Sequence, residues 1–399
     1  MINNVFEYES DGRRCYINLL TGEKSEEQIV DGDSDSNVFT NLYDIYDECE
    51  IYTLLNTKCN LRCAYCFERD VLNSDDSTID IDNYLQMIDE IRCRHKKTII
   101  KLFGGEPFLR PNREFITRVL AYAASNDVDV TPFTNGIEIP YFMDVIESYK
   151  EVFGSFVITI DGPKRIHDIR RPLASGSSFD RTIDGIRCVA ETGIKVFVRV
   201  NLDKENVDFQ RELIEHLFSI FSSEDVSIIY ALTKDDATER TRSNHLTLAE
   251  YVRFFEVDIA DLVERYQIYS SVREHMQLTN VFYNQEFSYP YIKRCNYGRI
   301  YVLSYDGKIY SCTSAIGQQD QIIGSFSDEP ILDDDKIAEY RSLTTSNLAK
   351  CSDCNISTIC TSNCPYNNYL VNGSEKVVNC RYDEIHEGIK EYLEVKGLV

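Results

Sequence analysis

The sequence predicts an α/β fold: an open, partial (β/α)6 barrel, preceded by a strand hairpin and followed by a cysteine-rich segment. Between residue 51 and about residue 230, six apolar strand-like runs alternate with amphipathic helix-like segments, and this alternation implies a parallel sheet. Before residue 50 the chain is polar and turn-rich, and after about residue 290 it carries half of its 14 cysteines. These two changes in composition mark the outer limits of the barrel.

The first 50 residues are predicted to form a β-hairpin appendage. Residues 5–8 and 15–19 read as short strands on either side of a Ser10-Asp11-Gly12 turn. The predicted domains are therefore the hairpin at 1–50, the barrel at 51–285 and the cysteine-rich domain at 286–399.

The barrel is predicted from two periodicities. Apolar residues that recur at steps of three and four indicate helices between the strand-length apolar runs. Six strand–helix units are too few for a closed eight-stranded barrel but enough for an open one, whose active site is expected beyond the C-terminal strand ends. The predicted strands are 51–55, 98–102, 128–134, 156–160, 195–201 and 226–232; the predicted helices are 81–94, 113–125, 141–150, 179–192, 208–221 and, further on, about 246–266.

The composition excludes several classes of function. A formal net charge of −24 argues against nucleic acid as a partner, because proteins that bind phosphate backbones concentrate Lys and Arg. The longest apolar runs, 51–55 and 196–200, fall far short of the roughly twenty residues that span a bilayer. The N-terminus lacks the basic start and apolar core of a secretory signal, so we expect a cytoplasmic protein. Because cytosolic thiols are kept reduced, 14 cysteines indicate metal or redox chemistry.

The first group of cysteines, Cys59, Cys63 and Cys66, directly follows the first predicted strand at C-x3-C-x2-C spacing. Three thiolates cannot saturate a [4Fe–4S] cluster, so one iron would stay open to chelate a substrate or cofactor. A structural zinc site is the alternative. Zinc normally takes a fourth Cys or His close by, however, and the nearest histidine downstream is His95.

Two motifs carry a family resemblance. Tyr65 completes a C-x3-C-x-aromatic-C motif, and Gly104-Gly105-Glu106-Pro107 follows the second predicted strand. In both motifs the chain resembles the radical SAM superfamily. The resemblance implies that the open iron holds S-adenosylmethionine and that electron transfer into the sulfonium releases a 5′-deoxyadenosyl radical. It also implies a set of cofactor-binding residues: Gly104, Gly105, Glu106, Tyr65, Thr134, Asn135, Thr159, Asp161 and Arg199.

Some of these residues also have purely structural interpretations. Asn135 and Asp161 each precede a glycine, and such pairs are often simple turns. Arg199 is equally typical of a salt bridge at the end of a sheet. His167, in the stretch after the fourth predicted strand, is predicted to be a positioned loop histidine rather than a proton carrier.

The second group of cysteines resembles the seven-cysteine SPASM pattern. The resemblance implies two auxiliary [4Fe–4S] clusters, and hence three clusters in the protein. Auxiliary cluster I is one cysteine short, so its open iron could ligate and deprotonate a substrate thiol. Two zinc sites are the structural alternative, but seven thiols cannot complete two four-cysteine sites either. The implied ligands are Cys295, Cys312 and Cys364 for auxiliary cluster I, and Cys351, Cys354, Cys360 and Cys380 for auxiliary cluster II.

Together these features predict a peptide maturase that closes a thioether between a cysteine sulfur and a carbon of a ribosomally synthesised precursor peptide. An electron donor such as flavodoxin or ferredoxin would serve it. The same radical chemistry could instead give a carbon–carbon crosslink, an excision or a sulfatase formylglycine, although relatives that form formylglycine carry an eighth cysteine. In another class, the chain would be a non-catalytic electron carrier or metal store.

Other points stay open at the level of sequence. The hairpin is equally well a truncated leader-peptide recognition element or a structural cap. No general base stands out by spacing. The substrate peptide, the acceptor carbon, the fourth ligand of auxiliary cluster I and the oligomeric state are not specified.

Overall fold

The computed structural model describes residues 5–10, 13–19, 21–25, 47–69, 79–233, 243–284 and 297–398. Its strands are β1 Val5–Ser10, β2 Arg13–Asn18, β3 Lys24–Ser25, β4 Glu48–Leu54, β5 Lys97–Phe103, β6 Asp129–Val130, β7 Phe133–Thr134, β8 Phe156–Thr159, β9 Val196–Leu202, β10 Val226–Leu232, β11 Ile268–Ser270, β12 Ile300–Ser304, β13 Lys308–Tyr310, β14 Ile322–Ser325 and β15 Ile331–Leu332. Its α-helices are Ile81–Arg92, Arg113–Asn126, Met143–Ser148, Lys164–Arg170, Ser178–Glu191, Gln210–Ile220, Leu248–Arg253, Ala260–Arg265, Arg273–Thr279, Asp334–Arg341, Ser357–Cys360, Pro365–Asn372 and Tyr382–Val395.

The predicted partial (β/α)6 barrel is confirmed as a row of parallel strands in the order β4, β5, β6/β7, β8, β9, β10. The third predicted strand, 128–134, is divided into β6 and β7 because Pro132 has no N–H to donate to the ladder. Hydrogen bonds still cross the break, from Thr131 N to Ile100 O at 2.8 Å and from Val157 N to Pro132 O at 2.9 Å. The row is therefore continuous.

Both edges of this row pair with a further parallel strand, and the sequence predicts neither pairing. β11 pairs with β10, and β12, from the cysteine-rich segment, pairs with β4. β12 then continues antiparallel into β13, β14 and β15. The C-terminal segment is thus joined to the strand that leads into Cys59, and Cys312 follows two residues after β13.

The five predicted barrel helices are present within two residues of their predicted bounds, but two other predictions are wrong. The single helix expected at 246–266 is interrupted by a π-helical turn at Phe254–Asp258, where Ile259 N bonds to Phe254 O at 3.2 Å. The sequence predicts a loop around His167, but the structure has a helix at Lys164–Arg170. Seven residues are too few to show the apolar period of a helix. His167 therefore lies on a helix, fully buried.

The predicted N-terminal hairpin is present as β1 and β2, and β3 adds a third strand. Its apolar side chains Phe6 and Ile17 are fully buried. The Phe6 ring packs 4.7 Å from His386, and Lys24 Nζ donates to Leu398 O at 2.5 Å. The hairpin therefore packs against the C-terminal helix. Within the described residues, no helix is long and apolar enough to cross a membrane.

The helix Ser178–Glu191 approaches the barrel closely at Gly185, where an added Cβ would stand 2.1 Å from Gly136 O. Alanine is the better helix former. We nevertheless expect Gly185→Ala to lower the free energy of unfolding by about 1–3 kcal/mol, because the helix must move away from the strand end. Chemical denaturation of the full chain measures this change. At Gly154 the nearest atom would be 3.9 Å from an added Cβ, so Gly154→Ala is the control. Equal stability of the two variants would contradict the prediction.

Candidate active site

A cavity of about 450 Å³ lies at the C-terminal ends of the barrel strands. The structure gathers in its wall every predicted cluster and cofactor residue of the barrel except Asp161. These wall residues are Cys59, Cys63, Tyr65, Cys66, Gly104, Gly105, Glu106, Thr134, Asn135, Thr159 and Arg199.

The three barrel cysteines stand on a loop that is fastened to the segment after the helix Lys164–Arg170. Arg62 N donates to Pro172 O at 3.1 Å, and Ala64 N donates to Arg170 O at 2.9 Å. The donors of these two bonds are the residues directly before and after Cys63. The loop is therefore held in place by the protein itself.

Burial keeps the barrel thiols protonated. It raises the pKa of Cys59 to about 12, with a further contribution from the Glu106 carboxylate, and it raises the pKa of Cys66 to about 12, with a further contribution from Glu68. The pKa of Cys63 is also raised by burial. These thiols would ionise readily only beside a strong cation such as iron.

The arrangement of the three barrel thiols is compatible with a multi-iron cluster. In the part of the chain that the structure describes, no three Cys, His, Asp or Glu side chains converge as ligands of one metal ion do. Cys59, Cys63 and Cys66 instead surround a common cavity. A zinc ion draws its ligands to one point, whereas a cluster takes one thiolate per iron.

Tyr65 is the centre of a buried polar network. Its hydroxyl donates to Asp161 Oδ2 at 2.5 Å and accepts from Arg171 Nη1 at 2.5 Å and Asn201 Nδ2 at 3.1 Å. Asp161 is fully buried behind Tyr65, which explains its absence from the cavity wall. Sequence reasoning missed Arg171 and Asn201, both of which line the cavity. The Arg170-Arg171 pair close to His167 was the available signal.

Gly104 and Gly105 adopt backbone conformations that favour glycine, with φ of +77° and +53°. An added Cβ would stand 2.3 Å from Leu54 Cγ at the first position and 2.3 Å from Lys58 O at the second. The end of β5 therefore packs directly against the end of β4 and against the loop between β4 and Cys59.

The Glu106 carboxylate is buried and is bonded to the neighbouring strand end. Oε1 accepts from the Thr134 hydroxyl at 2.6 Å and from Phe108 N at 2.9 Å, and Oε2 accepts from Asn135 N at 2.7 Å. Burial raises the pKa of Glu106, although these three hydrogen bonds oppose the shift. Glu106 thus fixes Thr134 and Asn135 in the cavity wall and retains one lone pair on Oε2 for a ligand.

Glu106→Gln should lower the free energy of unfolding by about 1–3 kcal/mol, because the amide NH₂ must face at least one of the three donors. Thermal unfolding measures this change. Glu138→Gln is the matched control, since Glu138 pairs with the largely exposed Arg110, and surface ion pairs contribute about 0–1 kcal/mol. A Glu106→Gln protein no less stable than this control would contradict the assigned bonds.

Arg199 supplies a half-buried positive charge to the cavity wall. Its Nε donates to Asn201 Oδ1 at 3.1 Å. Burial lowers its pKa, and this effect outweighs the opposite influence of Tyr52, Tyr65 and Asp161. A cation whose burial is incompletely compensated favours an anionic ligand in the cavity.

Another part of the cavity wall is aromatic, and the sequence analysis did not predict it. The Tyr52 and Phe103 rings are 5.3 Å apart, and those of Phe103 and Phe133 are 5.6 Å apart. Lys101 Nζ lies 5.2 Å from the Tyr52 ring and 2.8 Å from Glu50 Oε1. The signal in the sequence was the alternation of β4 and β5, which places Tyr52, Lys101 and Phe103 on the less buried face of these strands.

Four of the described cysteines of the C-terminal segment influence one another and form a second group of thiols. The pKa of Cys351 is raised to about 12, first by burial and then by the neighbouring thiols of Cys360, Cys354 and Cys380. The four predicted ligands of auxiliary cluster II are therefore neighbours. Cys364 is half-buried at the start of the helix Pro365–Asn372, and Cys312 is half-buried after β13; Cys295 lies outside the described residues.

A strained turn connects two of these cysteines. Between Cys360 and Cys364 the backbone is left-handed at three successive residues, Thr361, Ser362 and Asn363, with φ of 53°, 68° and 64°. This conformation costs roughly 1–2 kcal/mol for each residue that is not glycine. Asn363 Nδ2 also donates to Asn379 O, the residue before Cys380, at 2.9 Å. Such strain is typical of functional sites.

Comparison with known proteins agrees with this geometry. Residues 54–217 match the Radical SAM superfamily. The chain is 23% identical over 339 residues to the radical SAM cyclopropyl synthase TigE of Paramaledivibacter caminithermalis, covering 79% of this chain and 67% of TigE. It is also 23% identical over 364 residues to a cysteine-type anaerobic sulfatase-maturating enzyme of Clostridium novyi, covering 85% of this chain and 92% of that enzyme.

A solved structure shares the fold over nearly the whole chain. Streptococcus suis SuiB, solved with its precursor peptide SuiA, superposes with a TM-score of 0.66 at 14% sequence identity. The match covers 95% of this chain and 98% of SuiB. The barrel and its flanking segments therefore share the fold of a solved protein structure.

Proposed function

We propose that this chain, a radical SAM enzyme, modifies a ribosomally synthesised peptide by joining a cysteine sulfur to a carbon of an acceptor residue. One observation carries the proposal. A single cavity is lined at one side by Cys59, Cys63 and Cys66 and at another by Thr313, the neighbour of Cys312. A peptide in this cavity would lie between the barrel cysteines and the segment that carries Cys312.

The barrel cysteines are proposed to hold a [4Fe–4S] cluster with S-adenosylmethionine, which when bound supplies a 5′-deoxyadenosyl radical on one-electron reduction. Gly104 and Gly105 allow the backbone to approach the cofactor. Glu106 Oε2 would accept a hydrogen bond from its ammonium group, and Arg199 would pair with its carboxylate. Asp161 is reassigned as a positioning residue, because it is bonded to Tyr65 and lies behind the cavity wall.

The C-terminal segment is proposed to hold two auxiliary clusters. The proximity of four thiols around Cys351 supports the site of auxiliary cluster II. Cys312 and Cys364, with Cys295, would hold auxiliary cluster I. These clusters would accept the electron released when the new bond forms, and a flavodoxin or ferredoxin would reduce the barrel cluster.

The peptide class of the substrate is supported by SuiB, which has been solved with a precursor peptide. The similarity to a cyclopropyl synthase favours carbon–carbon bond formation as a second candidate. The sulfatase-maturating relative favours formylglycine formation. Against formylglycine formation stands the absence of any cysteine between Cys188 and Cys295 that could complete auxiliary cluster I.

The experiment incubates the reconstituted, reduced protein with S-adenosylmethionine and candidate cysteine-containing precursor peptides. We expect 5′-deoxyadenosine and a peptide lighter by two hydrogens that resists alkylation at cysteine. A lighter peptide that is still alkylated would indicate a carbon–carbon bond, and loss of the sulfur would indicate formylglycine. An absence of 5′-deoxyadenosine would overturn the radical chemistry altogether.

A further inference from the structure

We infer that Arg171 is a positioning residue that raises the reduction potential of the barrel cluster by placing a buried positive charge beside Cys63. The inference rests on the [4Fe–4S] cluster of the proposed function and deepens that proposal. It gives a role to a buried cation that neither the cysteine motif nor the Gly104-Gly105-Glu106 motif supplies.

The segment that carries Arg171 runs antiparallel to the cysteine loop. Residues 61 and 173 form an antiparallel bridge, and two backbone hydrogen bonds continue its register, from residue 62 to residue 172 and from residue 64 to residue 170. Cys63 lies between the two donors and Arg171 between the two acceptors, so the two residues are directly opposite each other. Opposed residues of this kind have Cα atoms about 4.5 Å apart and side chains on the same face. Both residues line the main cavity, in agreement with this register.

The guanidinium of Arg171 is buried and is held by Tyr65. Arg171 is only 8% exposed, and its Nη1 donates to the Tyr65 hydroxyl at 2.5 Å. Tyr65 directly precedes Cys66 and is two residues from Cys63. The backbone register fixes one end of the Arg171 side chain relative to the thiol loop, and Tyr65 fixes the other end.

The charge of Arg171 is only partly cancelled by its neighbours. Asp161 Oδ2 lies 3.8 Å from Arg171 Nη1, and it accepts its hydrogen bond from Tyr65. Within the described residues, Arg171 Nε has no hydrogen-bond partner. Arg170, in contrast, donates to both oxygens of Asp203, at 2.8 Å each. Of these two adjacent cations, Arg171 is therefore the one that leaves a positive charge at the cavity wall.

A buried positive charge favours the reduced form of a neighbouring iron–sulfur cluster, because the reduced form carries one more negative charge. A guanidinium stays protonated in proteins, so this effect does not depend on a titration. In the reduction step, one electron leaves an external reductant and enters the cluster, and Arg171 neither gains nor loses a proton. The charge of Arg171 makes this electron transfer more favourable.

Two substitutions change the charge beside Cys63 in opposite directions. Arg171→Gln removes the positive charge, so the ratio of reduced to oxidised cluster at a fixed solution potential should fall by about tenfold, or about 59 mV for one electron. Asp161→Asn removes the negative charge that offsets Arg171, so this ratio should rise. Asn201 N can still donate to the asparagine Oδ1, as it does to Asp161 Oδ1 at 3.1 Å. Arg171→Lys keeps the charge and should recover most of the wild-type ratio.

The ratios are measured by electron paramagnetic resonance during a reductive titration with dithionite. The full chain is reconstituted anaerobically and titrated without S-adenosylmethionine, and the barrel cluster is identified as the signal that is missing from Cys63→Ala. Arg110→Gln is the matched control, because Arg110 is largely exposed and lies outside the cavity wall. This variant should keep the wild-type potential. Thermal unfolding and iron content show which variants fold and hold their clusters.

Opposite shifts in Arg171→Gln and Asp161→Asn would support the role of Arg171, since damage to the fold has no reason to depend on the sign of the charge removed. Equal potentials, or shifts in the same direction, would overturn it. Weaker binding of S-adenosylmethionine by Arg171→Gln at an unchanged potential would also overturn it and would assign Arg171 to the cofactor.

If Arg171→Gln does not hold its cluster, the other two variants decide. A potential that is not raised in Asp161→Asn, or one that falls by the full tenfold ratio in Arg171→Lys, would contradict the inference. A wild-type protein without any signal that depends on Cys63 would overturn the proposed cluster, and with it the proposed function, rather than the role of Arg171 alone.

Discussion

Replacing Cys63 with alanine is expected to abolish 5′-deoxyadenosine formation, a loss of roughly a thousandfold or more. Cys63 lines the cavity between Cys59 and Cys66, and a cluster with only two protein thiolates is not retained in an open site. The measurement is chromatographic detection of 5′-deoxyadenosine after anaerobic reconstitution, together with the iron content of each protein.

Cys93→Ala is the matched control for this prediction. Cys93 is exposed at the end of the helix Ile81–Arg92 and outside the cavity wall. This variant should form 5′-deoxyadenosine at the wild-type rate and bind as much iron. A Cys63→Ala protein that behaves like the control would show that the barrel thiols do not hold the cluster.

The sequence was sufficient to predict the barrel and the part of the cavity wall that its motifs supply. The reason is physical: parallel strands end at one face, so motifs that directly follow strands, such as Gly104-Gly105-Glu106, must converge. What it could not predict were contacts between distant segments. The pairing of β12 with β4 depends on edge hydrogen bonds, which leave no periodic signal in either strand.

Asp161 shows the same limit at the level of one side chain. Its position after β8 predicted a place in the cavity, but its partners are Tyr65, from the cysteine loop, and Asn201, from β9. Glu68 was missed as a residue of the cavity wall for a related reason. Its position there depends on a hydrogen bond from Gly105 N, at the end of a distant strand.

Gly105→Ala is expected to abolish binding of S-adenosylmethionine and to lower the free energy of unfolding by more than about 3 kcal/mol. Part of this loss, about 1–2 kcal/mol, is the cost of a left-handed alanine. The remainder comes from the collision of the new Cβ with Lys58 O, 2.3 Å away. That carbonyl accepts the Glu106 N–H at 2.8 Å and belongs to the residue before Cys59. Relieving the collision therefore displaces the cofactor loop and the cluster loop together.

Gly193→Ala isolates the collision from the backbone cost. Gly193 is also left-handed, with φ of +82°, but an added Cβ there would have no atom within 4 Å. This variant should lose only the backbone cost, about 1–2 kcal/mol, and should bind S-adenosylmethionine like the wild type in calorimetric titrations of the reconstituted protein. If Gly105→Ala bound the cofactor equally well, the close approach of β5 to the Cys59 loop would have no part in building the site. Both variants lose the backbone cost of a left-handed alanine. Only the additional loss of stability and cofactor binding in Gly105→Ala can therefore be attributed to that approach.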